Sequence, residues 1–200
     1  MMTKLLLLRH GQSEWNALGK WQGQADPPLT KLGEGQAARA AEKLPDFGVL
    51  ACSNLERARR TAEIFADSIG WERNKIITES RVKERNAGAF SGLTKTEIEQ
   101  RFPGFLGNDI WPEDWESDES LIDRLLEGLK SIVSFAYDDR PIVVVTHGGC
   151  IYALEALCGK SYERISNLAG RWFTLDGDQI MLDDRMHLLS ADEETYPDHI

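Results

Sequence analysis

The chain has 200 residues, of which 42% are hydrophobic and 28% charged, with a formal net charge of −10. Such a length and balance describe one soluble domain, residues 1–200, large enough to bury a core without disulfide staples. An acidic surface excludes a nucleic-acid partner, which needs a basic face, and no apolar run approaches the ~18 residues of a membrane span.

In chain order, Lys4 to Leu8 holds four consecutive leucines and predicts a short strand buried on both faces, ending at Arg9-His10-Gly11. A short helix is expected to start within Gln12–Asn16, followed by a Gly- and Pro-containing loop, residues 20–28. Thr30 then caps a helix with Ala37, Ala38 and Ala41 on one face, and Phe47–Cys52 is a second strand. Ser53-Asn54-Leu55-Glu56 reads as a capping box that starts a helix ending at Gly70, which places Arg57 in the first turn. Lys75–Thr78 is a third strand, residues 81–92 are irregular, and Thr94–Glu97 is a second capping box whose helix ends before Pro103. Residues 103–118 form a surface excursion, and residues 119–137 an amphipathic helix. Pro141–Gly149 repeats the opening theme, an apolar run ending in His147-Gly148, and precedes a helix over Ile151–Cys158. Residues 171–183 turn at Asp176-Gly177 as a β-hairpin. The acidic tail, residues 191–200, is expected to fray from Asp192.

Strands separated by helices imply a three-layer α/β/α sandwich, its central sheet largely parallel with an antiparallel edge. The opening leucine run is too short for a signal-peptide core, so the expected location is cytoplasmic. Cys52, Cys150 and Cys158 fit no disulfide framework or zinc pattern and read as buried free thiols. The charge is uneven: residues 1–100 carry +2, from 15 basic and 13 acidic residues, and residues 101–200 carry −12, from 8 and 20. That leaves room for a focused positive pocket.

A lone histidine after a strand is ordinarily a structural residue, but here two strands each end in His-Gly. If the strands are neighbours, His10 and His147 converge on one crevice at the carboxyl ends of the sheet. An imidazole beside arginines suits attack on phosphorus, because guanidinium forks bind phosphoryl oxygens and neutral histidine is nucleophilic. Gly11 and Gly148 let backbone N–H groups approach the same oxygens. Arg57 opposes the dipole of its own helix, a mild cost that is explained if it shares an anion with that N-terminus. Arg59 and Arg60 lie on other faces and read as solvated. Glu84, in a glycine-bracketed loop, reads locally either as a surface carboxylate or as the acid that a phosphoryl site requires.

These residues also spell a family. Arg9-His10-Gly11-Gln-Ser-Glu-Trp-Asn16 resembles the R-H-G-[EQ]-[ST]-x-x-N signature of the histidine phosphatase superfamily, in its phosphoglycerate-mutase-like branch. Four further stretches resemble that family in order: Gln22-Gly23 to Ala37, Ser53 to Ala62, Glu84 to Gly92, and Val145 to Gly149. Asn54 stands where the family usually has aspartate. The resemblance implies that His10 becomes phosphorylated, that Arg9, Arg57 and His147 clamp the phosphoryl group, and that Glu84 is the proton donor. It further implies phosphate or substrate contacts from Asn16, Gln22, Gly23 and Gly148, with no metal ion and no cofactor.

The implied activity is a metal-independent phosphomonoester hydrolase acting on a small phosphorylated metabolite. The main alternative is a cofactor-dependent phosphoglycerate mutase, whose lid must exclude water and accommodate a bisphosphate. Residues 108–119, in the stretch over the active site, contain no Lys or Arg and are strongly acidic, which favours the phosphatase; Glu84-Arg85 is a counter-signal that mutases share. A metallohydrolase is disfavoured by adjacent arginines, and a non-catalytic phospho-ligand-binding protein by the complete residue set. Trp21, Phe105, Trp111 and Trp115 are candidate walls of a pocket for the leaving alcohol. The oligomeric state, a homodimer included, is left open.

Overall fold

The computed structural model describes residues 2–196. Six strands and six helices are laid out as β1 (Met2–Arg9), α1 (Glu14–Ala17), α2 (Lys31–Ala41), β2 (Val49–Cys52), α3 (Glu56–Ile69), β3 (Ile77–Thr78), α4 (Lys95–Arg101), α5 (Asp118–Val133), β4 (Ile142–Thr146), α6 (Gly148–Leu157), β5 (Ala169–Asp176) and β6 (Gln179–His187). The strands form one sheet in the order β3-β2-β4-β1-β5-β6. Pairings β1–β4, β2–β4 and β2–β3 are parallel, whereas β1–β5 and β5–β6 are antiparallel. The expected sandwich, largely parallel with an antiparallel edge, is therefore the observed one.

The alternation of a strand explains the two layers. Leu5 and Leu7 face α5 and α6 through Leu121, Leu125, Leu129, Ile151 and Leu154. Leu6 and Leu8 face α2 and α3 through Ala37, Ala40, Ala58, Ala62 and Phe65. All four leucines are essentially inaccessible to water, as a central strand covered on both faces requires. Among the described residues, no helix is long and apolar enough to cross a membrane.

Several local expectations are corrected. Ser53 does not cap α3; its hydroxyl accepts from the Leu55 N–H, and Leu55 is the N-cap without a side-chain bond. The cap comes from a distant loop, where Asp26 Oδ1 accepts the Glu56 N–H at 2.7 Å. Ala38 is exposed, and Gly33, Gln36, Ala37, Ala40 and Ala41 make the buried face of α2. Helix α6 begins at Gly148, three residues earlier than expected, so His147 is its N-cap. Two glycines concealed that start, because glycine has low helix propensity. The hairpin strands run longer than predicted, to Ala169 and His187.

The tail is also corrected as far as Tyr196, while residues 197–200 lie outside the described residues. Its Glu193 side chain accepts from Ser190, and Glu193 pairs with Arg39 at 2.6 Å. The Thr195 carbonyl accepts from the Asn167 N–H, so this segment is held against the body by hydrogen bonds.

Candidate active site

Because β1 and β4 are parallel neighbours with Arg9 opposite Thr146, the residues just beyond them meet at one sheet end. His10 and His147 stand with ring centroids 5.2 Å apart. The His10 Nδ1–H donates to the Gly11 carbonyl at 2.7 Å, so Nε2 carries the lone pair. Arg57 Nε–H donates to that Nε2 at 3.1 Å. Its other two nitrogens donate to the carbonyls of Gly23 and Ala25, at 2.9 and 2.7 Å. Arg57 is wholly buried, and burial lowers its pKa to about 10, which leaves it charged at neutral pH.

Gly23 has a local reason to be glycine. Its φ is +53°, and a Cβ there would stand 2.8 Å from the Ala87 Cβ. Arg9 Nη1 donates to the Ile165 carbonyl at 2.8 Å, and burial lowers its pKa too. The Asn16 Oδ1 accepts from the Ser13 N–H, closing the capping box of α1, and from Asn167. Gln22 accepts from the Ser13 hydroxyl at 2.8 Å. Gln22 and Gly23 line the cavity beside His10.

Glu84 reaches the site from the irregular segment before α4. Its Oε1 accepts from the Arg85 N–H at 2.8 Å and its Oε2 from the Gly149 N–H at 3.2 Å. A Cβ on Gly149 would fall 2.3 Å from Glu84 Oε1, so only glycine lets the carboxylate sit there. Gly148, also expected to contact phosphate, starts α6 beside Arg9; a Cβ on it would stand 3.4 Å from the guanidinium carbon.

Arg9 Nε, Asn16 Nδ2 and both ring nitrogens of His147 are buried without a hydrogen-bond partner among the described residues. Each buried unsatisfied group costs about 1–3 kcal/mol. Arg9 Nε–H, Asn16 Nδ2–H and the single N–H of a neutral His147 are donors available to an anion with several acceptor oxygens.

Burial, then the neighbouring Arg57, His10 and Arg9, hold the His147 pKa well below its ordinary value of 6.5. The unfolded chain takes up this proton where the folded protein does not. Its contribution to stability is therefore full above the unfolded pKa and erodes as pH falls below it. Thermal unfolding between pH 7.5 and 5.0 is expected to show a larger loss for the wild type than for His147→Asn, with a slope difference of at most about 1.4 kcal/mol per pH unit. Equal losses would mean that His147 charges within the fold.

Two supporting residues, Asn167 and Arg124, escaped the sequence reading. Asn167 Nδ2 donates to the His10 carbonyl and to Asn16, and its own Oδ1 accepts from Thr195, which also accepts from Gln36. Arg124 donates to the carbonyls of Arg81, Lys83 and Glu84 and pairs with Glu116, so it holds the Glu84 segment. Thr61, which belongs to the family-like stretch from Ser53 to Ala62, accepts from the Gly11 N–H. Neither Asn167 nor Arg124 carries a local signal, because the bonds that matter, to the His10 and Glu84 carbonyls, reach residues far along the chain. Arg59 and Arg60 stay outside the site and pair with Glu63 and Glu34.

Arg9, His10 and Glu84 line one cavity of about 250 Å³ together with Trp21, Trp111 and Trp115 from the expected aromatic wall. Phe105 does not line it and packs on Phe90 and Phe102, in the cluster that Trp21, Trp111 and Trp115 also join through Phe90.

The sequence pattern of the histidine phosphatase superfamily (branch 1) matches residues 5–174, and the chain belongs to that superfamily. It is 37% identical over 155 residues to the uncharacterised phosphatase PhoE of Bacillus subtilis (strain 168), covering 76% of each chain. It is 36% identical over 168 residues to a glucosyl-3-phosphoglycerate phosphatase of Mycolicibacterium vanbaalenii, covering 78% of this chain and 73% of that one. A probable phosphoglycerate mutase, GpmB, of Escherichia coli is 37% identical over 161 residues, with 75% and 73% covered. Among solved structures, a mycobacterial glucosyl-3-phosphoglycerate phosphatase in complex with VO3 superposes with a TM-score of 0.77 at 30% identity, covering 90% of this chain and 97% of that one.

Proposed function

We propose that this protein is a phosphomonoesterase that acts through a phosphohistidine without a metal ion. The observation that carries the reading is the state of His10. Its Nδ1–H is tied to Gly11, and its Nε2 lone pair is presented among Arg9, Arg57 and His147. Nε2 attacks phosphorus in line, the bond from phosphorus to the ester oxygen breaks, and Glu84 protonates the departing alcohol. As the phosphoryl group arrives, Arg57 Nε–H passes from Nε2 to a phosphoryl oxygen, and Arg9 and His147 share the developing charge. Water then attacks the phosphohistidine, Glu84 takes its proton, and the phosphorus–nitrogen bond breaks to release phosphate.

The named relatives include phosphatases and a probable mutase, so the second reading is phosphoglycerate mutase. The cavity rim favours hydrolysis, because Arg85 is paired with Asp118 at 2.5 Å and is not free for a bisphosphate. The deciding assay measures phosphate release from 3-phosphoglycerate and other small monoesters in EDTA, and 2-phosphoglycerate formation with and without a bisphosphate activator. Release in EDTA is expected. Isomerisation without release would establish the mutase instead.

A further inference from the structure

The cavity that holds Arg9, His10 and Glu84 also has aromatic walls whose composition selects a leaving group. Its walls are Trp21, Ala87, Trp111 and Trp115 from one set of loops and Tyr152 and Tyr162 from α6 and the chain that follows it. Trp111 and Trp115 are stacked, with centroids 4.4 Å apart and planes 17° from parallel. Trp21 lies 5.7 Å from Trp115 and 6.1 Å from Trp111. Tyr152 and Tyr162 lie 4.8 Å from each other. The whole cavity, phosphoryl site included, is about 250 Å³, small beside ligand sites of about 300–1,000 Å³, so the aromatic part suits a compact group presented face-on to the rings.

The rim charges point the same way. Besides Arg9, which serves the phosphoryl group, Arg85 is the cationic residue in the lining. It is already committed: Nη1 donates to the Glu116 carbonyl, Nη2 to Asp118 Oδ1, and the guanidinium lies 5.2 Å from the Trp115 ring centre. A carboxylate or second phosphate on the substrate would have to break the Arg85–Asp118 pair and lie beside the displaced carboxylate. Like charges at such separations oppose binding.

We propose, resting on the phosphomonoesterase reading, that the preferred substrate is the phosphate ester of an uncharged, ring-bearing alcohol. Its ring lies against the Trp111–Trp115 stack, and the Arg85–Asp118 pair discriminates against substrates with a second anionic group. The pocket therefore fits an aryl or pyranosyl ring better than a glycerate.

The test compares benzyl phosphate, glucose 6-phosphate, n-propyl phosphate and 3-phosphoglycerate. All are esters of primary alcohols, so differences report the pocket more than the leaving group. Benzyl phosphate, glucose 6-phosphate or both are expected to exceed n-propyl phosphate in kcat/KM by about tenfold, and which does so separates aryl from pyranosyl recognition. Trp111→Ala should cut that ratio to about twofold or less, a readout in which any general loss of activity cancels. Asp118→Asn, at an exposed position, frees Arg85 and should raise kcat/KM for 3-phosphoglycerate relative to benzyl phosphate several-fold.

Calorimetric binding of benzylphosphonate and n-propylphosphonate, which cannot be hydrolysed, gives the same ratio without turnover. Tight ring-dependent binding without phosphate release would keep the ring site and overturn the phosphomonoesterase reading. Phosphate release with equal kcat/KM for ring and chain esters, or a ratio untouched by Trp111→Ala, would overturn the ring site alone.

Discussion

His10→Ala is expected to lower kcat by about 10⁴-fold or more on every phosphomonoester, because among the described residues His10 is the histidine that lines the cavity. His147 is the other ring in the crevice, but unlike His10 it does not line the cavity, and Arg57 and Arg9 are its charged neighbours. Phosphate should still bind to the variant, since Arg9, Arg57 and His147 remain. The complementary measurement is chemical trapping. Wild-type enzyme quenched in alkali during turnover of a labelled substrate should carry an acid-labile phosphate that the variant lacks. A variant with a tenth of wild-type kcat would remove His10 from the role of nucleophile.

Glu84→Gln should separate two kinds of substrate. Glutamine can still accept a backbone N–H bond, here from Arg85 or Gly149, so the segment should keep its place. It cannot, however, supply a proton. Esters of alkyl alcohols, whose alkoxides are poor leaving groups, should slow by about 10²–10⁴-fold. p-Nitrophenyl phosphate, whose phenolate leaves without help, should slow far less in the first step. An equal loss on both would argue that Glu84 positions the site electrostatically and does not transfer the proton.

The parts of the site that could be read from sequence are those whose geometry is local. Strand β1 declares itself by four leucines, and its end carries Arg9 with His10 directly after it. Strand β4 does the same for His147. Gly70 ends α3 with a φ of +73°, which its position after Ile69 already signalled. The failures are equally instructive. Ser53-x-x-Glu56 satisfied the pattern of a capping box, yet Asp26, 30 residues away, supplies the bond. A local rule cannot see a competing partner brought in by the fold. The acidic tail fitted the composition of a frayed end, yet Thr195 hydrogen-bonds to Asn167, which in turn holds the His10 carbonyl.

By itself, the sequence determined the chemistry available: two histidines at strand ends, the arginines beside them, a carboxylate in a glycine-bracketed loop and an acidic stretch over the site. Periodicity and turn signals report interactions within a few residues, and these choices are of that kind. Only the tertiary structure decided which nitrogen of His10 holds the lone pair, that Arg57 is aimed at it through the Gly23 and Ala25 carbonyls, and that Arg124 fastens the Glu84 segment. It also decided that Trp111 and Trp115 stack and line the cavity while Phe105 does not reach it. Those outcomes depend on hydrogen bonds and contacts between residues distant along the chain, whose energies exist only once the sheet has brought them together.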